Sequence, residues 1–493
     1  MDTYWMYTAL GVYLLAMLFL GYVAYKKTST HEDYMVGGRQ LPPLVAALSA
    51  GASDMSGWLI MGLPGAIYTT GLIESWIAIG LTIGAFLNWK FVAPRLRAYS
   101  QVAKNSITVP SFFENRLKDS SHILRIVSSI IILVFFTLYI SSGMVASGVF
   151  FESSFNGNYI VGMLIVVSIT LLYTFFGGFL GASLTDVAQG LMMMVALGVV
   201  PVVGVISIGG IGATTETIRT VASGNLSFIG YNGFTVAVVF SIVSGIAWGL
   251  GYFGQPHIVV RFMALRTPAE AKSARRIGMS WMIVSLGCAI LSGLVGIAYF
   301  SHVHQELPNS ETVILRMSQL LLHPFIAGLI LAAVLAAIMS TFASQLVVCS
   351  SALVEDLYRV IRKKEATQKQ LVLLGRLAVL LVALVALLLA LNPSGTILQL
   401  VSFAWAGFGA SFGPITLLSL YWKKLTNWGA LAGMLSGAIS VFVWDAINSD
   451  IYELLPAFLI ATLIAVIVSK VTYKEHPEIT EEFSAMKDML AQP

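Results

Sequence analysis

Charge is what this sequence has least of. Only 11% of its 493 residues are Asp, Glu, Lys or Arg, 57% are hydrophobic, and the mean hydropathy is +0.85. That leaves too little polar surface for a soluble globule and points to a polytopic helical membrane protein. Cysteine is almost absent as well. Cys288 and Cys349 lie on different apolar segments, with no Cys or His at metal-ligand spacing, which argues against a disulfide framework or a zinc site. The chain also lacks a glycine-rich phosphate loop, a nucleophile elbow and a pair of catalytic carboxylates, so it reads as no enzyme. The net charge of +4 calls for no nucleic-acid partner, because the basic residues have a topological explanation.

Long apolar runs are what the sequence has in abundance. Thirteen stretches reach spanning length: 6–25, 43–66, 73–93, 125–150, 158–176, 185–208, 234–255, 277–300, 321–353, 374–391, 396–421, 427–446 and 454–472. Their connections pass a charge test. Of the 28 Lys and Arg, only Arg219 and Arg316 fall on one side when alternate connections are grouped. By the positive-inside rule the N-terminus lies outside and the C-terminus in the cytoplasm. The first stretch follows Asp2 instead of a basic region and is long enough to span, so it reads as an anchor and not a cleaved signal. The charged runs Lys363-Lys364-Glu365 and 478–487 read as solvated faces, and 209–231 as an outer loop with a short helix and no chemistry.

Within the second stretch sits the most expensive residue in the chain. Residues 46–58 read Ala-Ala-Leu-Ser-Ala-Gly-Ala-Ser-Asp-Met-Ser-Gly-Trp, which places Asp54 where a bilayer midplane belongs. A carboxylate there costs about 2.5–3.5 kcal/mol on insertion scales and marks a functional site. The glycines and small residues around it weaken the helix and predict a break between about Ala52 and Ser56. Asp54 can also be read as the cap of the following half-helix. That reading presupposes the same break.

A second interruption occurs at residues 244–257, Ser-Gly-Ile-Ala-Trp-Gly-Leu-Gly-Tyr-Phe-Gly-Gln-Pro-His, with four glycines and a proline in an apolar span. The broken stretches are the second and the seventh. Units of five segments starting at each enter the membrane in opposite directions, which makes an inverted repeat with a binding site between the halves. The alternative is that the glycines only permit close helix packing, a reading that fits one such segment better than a matched pair. The division that follows is an extra helix and loop at 1–42, repeats at 43–208 and 234–421, two peripheral helices at 422–472 and a tail at 473–493.

Two constellations carry candidate chemistry. In the ninth stretch, Ser340 and Thr341 follow Ala337 by three and four residues, so both hydroxyls and the Ala337 carbonyl share a helix face. Such a nest suits a hard monovalent cation, with carbonyls freed near Ala52 and Met55 completing the set. Its plain alternative is back-bonding of the two hydroxyls to their own helix. The second constellation is aromatic. Trp248, Tyr252 and Pro256 fall at i, i+4 and i+8 and line one face of an α-helix, with Tyr139 beside Ser141 and Ser142 in the fourth stretch. An aromatic wall fits an apolar ring bearing a cationic amine, although core and interface-belt roles are commoner. Trp5, Tyr25, Trp89 and Trp428, at segment ends, read as belt residues. Asp186 reads as a helix cap or an inner gate, Arg39 as a positive-inside anchor, Glu74 as a cap, and His257 and His323 as structural.

These residues carry a resemblance. Tyr34-Met35-Val36-Gly37-Gly38-Arg39, residues 47–58, AWGLGYFGQPHIVVRF at 247–262, residues 336–341 and VSFAWAGFGASFGP at 401–414 are together similar to the sodium/solute symporter family, over nearly the whole chain. The 248–257 run resembles its proline-transporting branch. The resemblance implies the five-plus-five inverted repeat of the sodium-coupled leucine transporter, with one extra helix before and two after. It implies Na⁺ held by backbone oxygens of Ala52, Met55 and Ala337 and by the hydroxyls of Ser340 and Thr341. Asp54 then supports sodium binding, while Tyr139, Trp248, Tyr252 and Pro256 form the L-proline site. Arg39 and Asp186 affect coupling or release. The expected activity is Na⁺-driven L-proline uptake by alternating access, in the lipid bilayer of a bacterial cytoplasmic membrane. The rival expectations are symport of another small organic solute and a membrane solute sensor.

Overall fold

The structure is a computed structural model describing residues 2–27, 37–231, 233–358, 360, 367–393, 395–447 and 449–491. The expectations at Tyr34, Met35 and Val36 and at Lys363-Lys364-Glu365 lie outside these residues, as does the side chain of Tyr25. Among the described residues every element is helical, and the β pairing is a single bridge between Leu41 and Leu265. In chain order the helices are α1 (Asp2–Lys27), α2 (Pro43–Asp54), α3 (Trp58–Thr70), α4 (Leu72–Val102), α5 (Val109–Leu117), α6 (Ile123–Phe155), α7 (Tyr159–Ile208) and α8 (Ile211–Val221). There follow α9 (Val236–Gly254), α10 (Pro256–Met263), α11 (Ala271–His302), α12 (Val313–Leu321), α13 (Pro324–Tyr358), α14 (Gln368–Ala390), α15 (Ile397–Tyr421), α16 (Asn427–Ile447), α17 (Leu454–Thr472) and α18 (Pro477–Ala491).

Eleven described helices are long and apolar enough to cross a membrane, and the bent pair α2–α3 makes up to twelve, against the thirteen spans expected. The difference lies at 158–176. There the apolar part, Tyr159–Leu172, is short, and the helix runs on to Ile208. Fifty residues of straight helix would extend about 75 Å. Yet Ser154, five residues before its start, accepts a hydrogen bond from Gln319 Nε2 at 2.8 Å, and Gly204, near its end, lies against Met317 and Leu321. All three partners belong to the nine-residue α12, so α7 doubles back between its ends.

Both predicted interruptions are present. Helix α2 opens with Pro43 at its first position and ends at Asp54; Met55 then leaves helical geometry (φ −84°, ψ 82°), and α3 departs at 63°. The second takes a different form. Helix α9 is α-helical to Ala247, tightens to 3-10 turns over Trp248–Gly254, and stops at Gln255 in extended geometry before Pro256 opens α10. Proline is suited to that first position because it has no N–H to leave unpaired. Gly251 lies against the Trp405 indole and Gly254 against the Phe408 carbonyl, where a Cβ would collide.

Several residues expected at the surface are inside. Arg39, Arg97, Arg116 and Arg261 are all buried. Two of them, on α4 and α5, stitch the fold: Arg97 donates to the Leu265 and Arg266 carbonyls (2.5 and 2.9 Å), and Arg116 to that of Ser419 (3.0 Å). Trp5 and Trp428 are exposed at helix ends as belt residues should be, but Trp89 is buried against Phe262. The 478–487 run is no free solvated face. It lies in α18, which buries Ile479, Phe483 and Met486, and Glu482 pairs with Lys118. His323 caps α13, accepting from Phe325 N. Glu74 lies in the opening turn of α4 and makes no side-chain capping bond.

Candidate ion and substrate site

The break after Asp54 changes what the backbone can bond. Ser56 N turns back to the Asp54 carbonyl (3.0 Å) instead of reaching Ala52, as a continuing helix would require. The Ala52 carbonyl is thereby freed, and the hydroxyls of α13 take it. Ser340 Oγ donates to Ala52 O at 2.8 Å and lies 3.1 Å from Ala337 O; Thr341 Oγ1 is 3.4 Å from each. Four oxygens from two helices thus converge in a buried cluster. Back-bonding within α13, the plain alternative, accounts for only half of these contacts. Among the described residues no group of three or more His, Cys, Asp or Glu is arranged to hold a metal.

Asp54 does not join that cluster. Its Oδ2 accepts the Tyr252 hydroxyl, its carbonyl accepts Trp58 Nε1 (3.1 Å) and Tyr139 OH (3.3 Å), and its Oδ1 takes no hydrogen bond from any described residue. Asp54 therefore binds the first break to the second and to α6. It caps neither half-helix through its side chain; Trp58 N is 3.4 Å from Ser56 Oγ.

The aromatic residues meet here too, on a plan the α-helical spacing did not predict. At three residues per turn, i and i+4 no longer share a face. Trp248 instead stacks on Tyr452 (centroids 5.3 Å apart) and faces Trp58 (6.2 Å) and Trp405 (6.4 Å), whose indole N–H donates to the Trp248 carbonyl at 2.8 Å. Tyr252 meets Trp405 edge-on at 5.1 Å. Tyr139, Trp248 and Tyr252 thus surround the region of Asp54. Pro256 lies apart from them, lining a cavity of ≈20 Å³ with Phe179, Val260 and Asp356. Sequence reasoning missed Trp58, Trp405 and Tyr452. Trp58 was quoted in the motif, but nothing in sequence spacing joins it to residues 190 and more positions away.

One turn along from the oxygen cluster is a buried ion pair. Asp186 Oδ2 accepts from Arg261 Nη2 (3.1 Å) and Ser49 Oγ (2.7 Å), while Arg261 also donates to Ser49 Oγ and Ser344 Oγ, both at 2.7 Å. Ser49 precedes Ala52 on α2 by three residues and Ser344 follows Thr341 on α13 by three. The same two helices therefore carry both groups, and Asp186 does not act as the cap expected. Arg261 falls among the basic residues of the connection between the seventh and eighth stretches; the one sign of a helix there is its four-residue offset from His257, whose carbonyl it binds. Arg39 is likewise no surface anchor. It donates to Met263 O (2.8 Å), Ser100 Oγ (3.0 Å) and Ser106 O (2.5 Å), tying the start of the first broken span to the end of the second.

Comparison with known proteins fits this geometry. The model of the sodium:solute symporter family matches residues 34–437. The chain belongs to that family. It is 52% identical over 478 residues to the high-affinity proline transporter PutP of Bacillus subtilis, covering 97% of this chain and all of that one. It is 49% identical to the osmoregulated proline transporter OpuE of the same organism (98% of each chain), and 47% identical to the sodium/proline symporter of Staphylococcus aureus (99% and 97%). The family is one of symporters, so the chain is a transporter and not an enzyme. A substrate-bound, outward-open Na⁺-coupled sialic acid symporter shares the fold at TM-score 0.81, with 20% identity over 95% of this chain and 97% of that one. The nucleobase-cation symporter Mhp1 matches at 0.54. The two interrupted spans are thus set in a fold that these symporters share.

Proposed function

We propose that the chain couples Na⁺ influx to L-proline uptake by alternating access. The observation that carries this is the cluster of Ala52 O, Ala337 O, Ser340 Oγ and Thr341 Oγ1 at a helix break, beside an aromatic enclosure. A hard monovalent cation is satisfied by neutral oxygens alone. On its arrival the hydroxyls that now donate to Ala52 would rotate and offer lone pairs, with the Met55 carbonyl as a fifth ligand. Asp54 supports the ion from outside the cage, through the backbone it fixes and the charge it carries. Tyr139, Trp248 and Tyr252 take the pyrrolidine ring and its ammonium through apolar and cation–π contact. Pro256, at the start of α10, fixes where the tightened 3-10 stretch ends. Asp186 and Arg39 hold the broken spans together one and several turns away, where ion release must loosen them.

Ion and substrate need not touch. Na⁺ orders the break that carries Asp54, Asp54 holds Tyr252, and linkage makes the coupling reciprocal. The energetics suffice: one charge moving through 100 mV supplies about 2.3 kcal/mol, and a tenfold accumulation needs about 1.4 kcal/mol. We further propose that 43–208 and 234–421 are the inverted repeats, flanked by the extra helix and loop at 1–42, the peripheral helices at 422–472 and the tail at 473–493. The site is a bacterial cytoplasmic membrane, with the N-terminus outside and the C-terminus inside.

The test is uptake of labelled L-proline into proteoliposomes containing this protein alone, under an inward Na⁺ gradient or an equal K⁺ gradient. Accumulation that needs Na⁺ and is competed by excess proline, but not by pantothenate or acetate, is the expected result. Accumulation indifferent to the cation would sink the coupling, and competition by the other solutes would sink the substrate assignment.

A further inference from the structure

The cluster of neutral oxygens occupies one face of α2. On the opposite face, Ala47, Gly51 and Asp54 border a cavity of ≈20 Å³, closed by α4, α10 and α11. That is room for one water molecule. Asp54 and Asn88 are among its lining residues, each 1% exposed, and each carries a buried oxygen, Oδ1, with no partner among the described residues. The orientation of the Asn88 amide is fixed by its other end. Its Nδ2 donates to the Tyr252 carbonyl at 2.9 Å, and a flipped amide would set oxygen against oxygen. The cavity also has a donor. Trp89 lines it as well, with its indole N–H on the side of Gly278.

Asn88 and Trp89 are consecutive, and in an ordinary α-helix their side chains would diverge by about 100°. Here they open a π-helical turn, Asn88–Val92, whose wider winding helps bring both to the same wall. Such turns inside α-helices are frequent at functional sites. Two acceptors and one donor around a one-molecule space match what a buried water bonds, typically about three partners. A bare cation fits less well, because the indole N–H would face it.

We infer that the cavity holds a single water bridging Asp54, Asn88 and Trp89, and that Asn88 is a positioning residue for ion coupling. Through the water it steadies the carboxylate at the first break, and through its amide it holds the backbone of the second. Asn88 is thus a link between the ion cluster and the aromatic enclosure that lies outside both broken spans. The inference rests on the ion and substrate reading above.

The experiment is Na⁺ titration of labelled proline binding to the full-length protein in lipid nanodiscs. Asn88→Leu is expected to raise the Na⁺ midpoint about tenfold, equivalent to about 1.4 kcal/mol, with proline affinity at saturating Na⁺ changed less than about threefold. Trp89→Phe keeps the ring against Phe262 and removes only the donor; it is expected to shift the midpoint by about threefold in the same direction. An unchanged midpoint in Asn88→Leu, or equal loss of Na⁺ and proline affinity, overturns the positioning role. A shift in Asn88→Leu with none in Trp89→Phe overturns the bridge. If the wild type itself binds proline without regard to Na⁺, the ion reading fails instead. A density map with a single peak between the three side chains supports the bridge, and an empty cavity at a resolution that shows other buried waters overturns it.

Discussion

At the first interruption the chain leaves helical geometry and its freed carbonyl meets hydroxyls; at the second it tightens to 3-10 turns before stopping at Gln255, and what those turns meet is aromatic. The two breaks differ because their backbones are satisfied differently. In a bilayer every polar backbone group needs a partner. Around Met55 the missing bonds are supplied from outside, by Ser340 and Thr341, so that break is lined with oxygen. Over Trp248–Gly254 the turns bond within themselves, and glycines at 251 and 254 let Trp405 and the α15 backbone close in. One break is therefore suited to an ion and the other to an apolar ring, and Asp54 with Tyr252 joins them.

That division is open to attack, beginning where the largest effect is expected. Asp54→Asn keeps an acceptor for Tyr252 but removes the charge. With an effective dielectric of about 20, a unit charge a few ångström from a cation is worth about 3 kcal/mol. The Na⁺ midpoint for uptake should rise by roughly a hundredfold. A change below threefold would mean that the carboxylate only organises backbone. Next, Gly251→Ala places a methyl against the Trp405 indole, and overpacking of this kind costs about 1–3 kcal/mol. Thermal unfolding should shift downward while the Na⁺ midpoint moves little, and an unaltered melting profile would show that the second break is looser than described.

Thr341→Ala removes one oxygen from the cluster. A hydrogen-bonding or ligand group of this type contributes about 1.5 kcal/mol, so sodium affinity should fall about tenfold, with intrinsic proline recognition little affected. Equal dependence of both on Thr341 would merge the two sites into one. The smallest expected effect is for Trp248→Ala, about 1 kcal/mol from cation–π and apolar contact. The proline concentration for half-maximal uptake should rise about fivefold. If Na⁺ and proline affinities fall together, Trp248 is a folding residue.

Much of this was legible in the chain. Asp54 announced itself because a carboxylate in an apolar run is costly, and the glycine and proline pattern at 244–257 marked the second break. Ser340 and Thr341 were readable because they share a helix face with Ala337. What failed were inferences that treated charge and spacing as local. Arg261 lies at the end of an apolar run, like any loop anchor, and only the packed structure sets it against Asp186. Trp89 stands at a segment end, like a belt residue, yet α4 turns it inward. The single face expected for Trp248, Tyr252 and Pro256 assumed an α-helical period that the glycines did not keep.

The sequence by itself determined that the chain crosses a membrane, where it is interrupted and which helix supplies hydroxyls, because hydrophobic length, intramembrane charge and helical period act within one segment. The tertiary structure decided which segments face one another. It brought Ala52 to Ser340, Asp54 to Tyr252 and Asp186 to Arg261, pairs separated by 75 to 288 positions. Contacts at such separations follow from how helices pack, and the period of a helix, which fixes which residues share its own face, is silent on its neighbours.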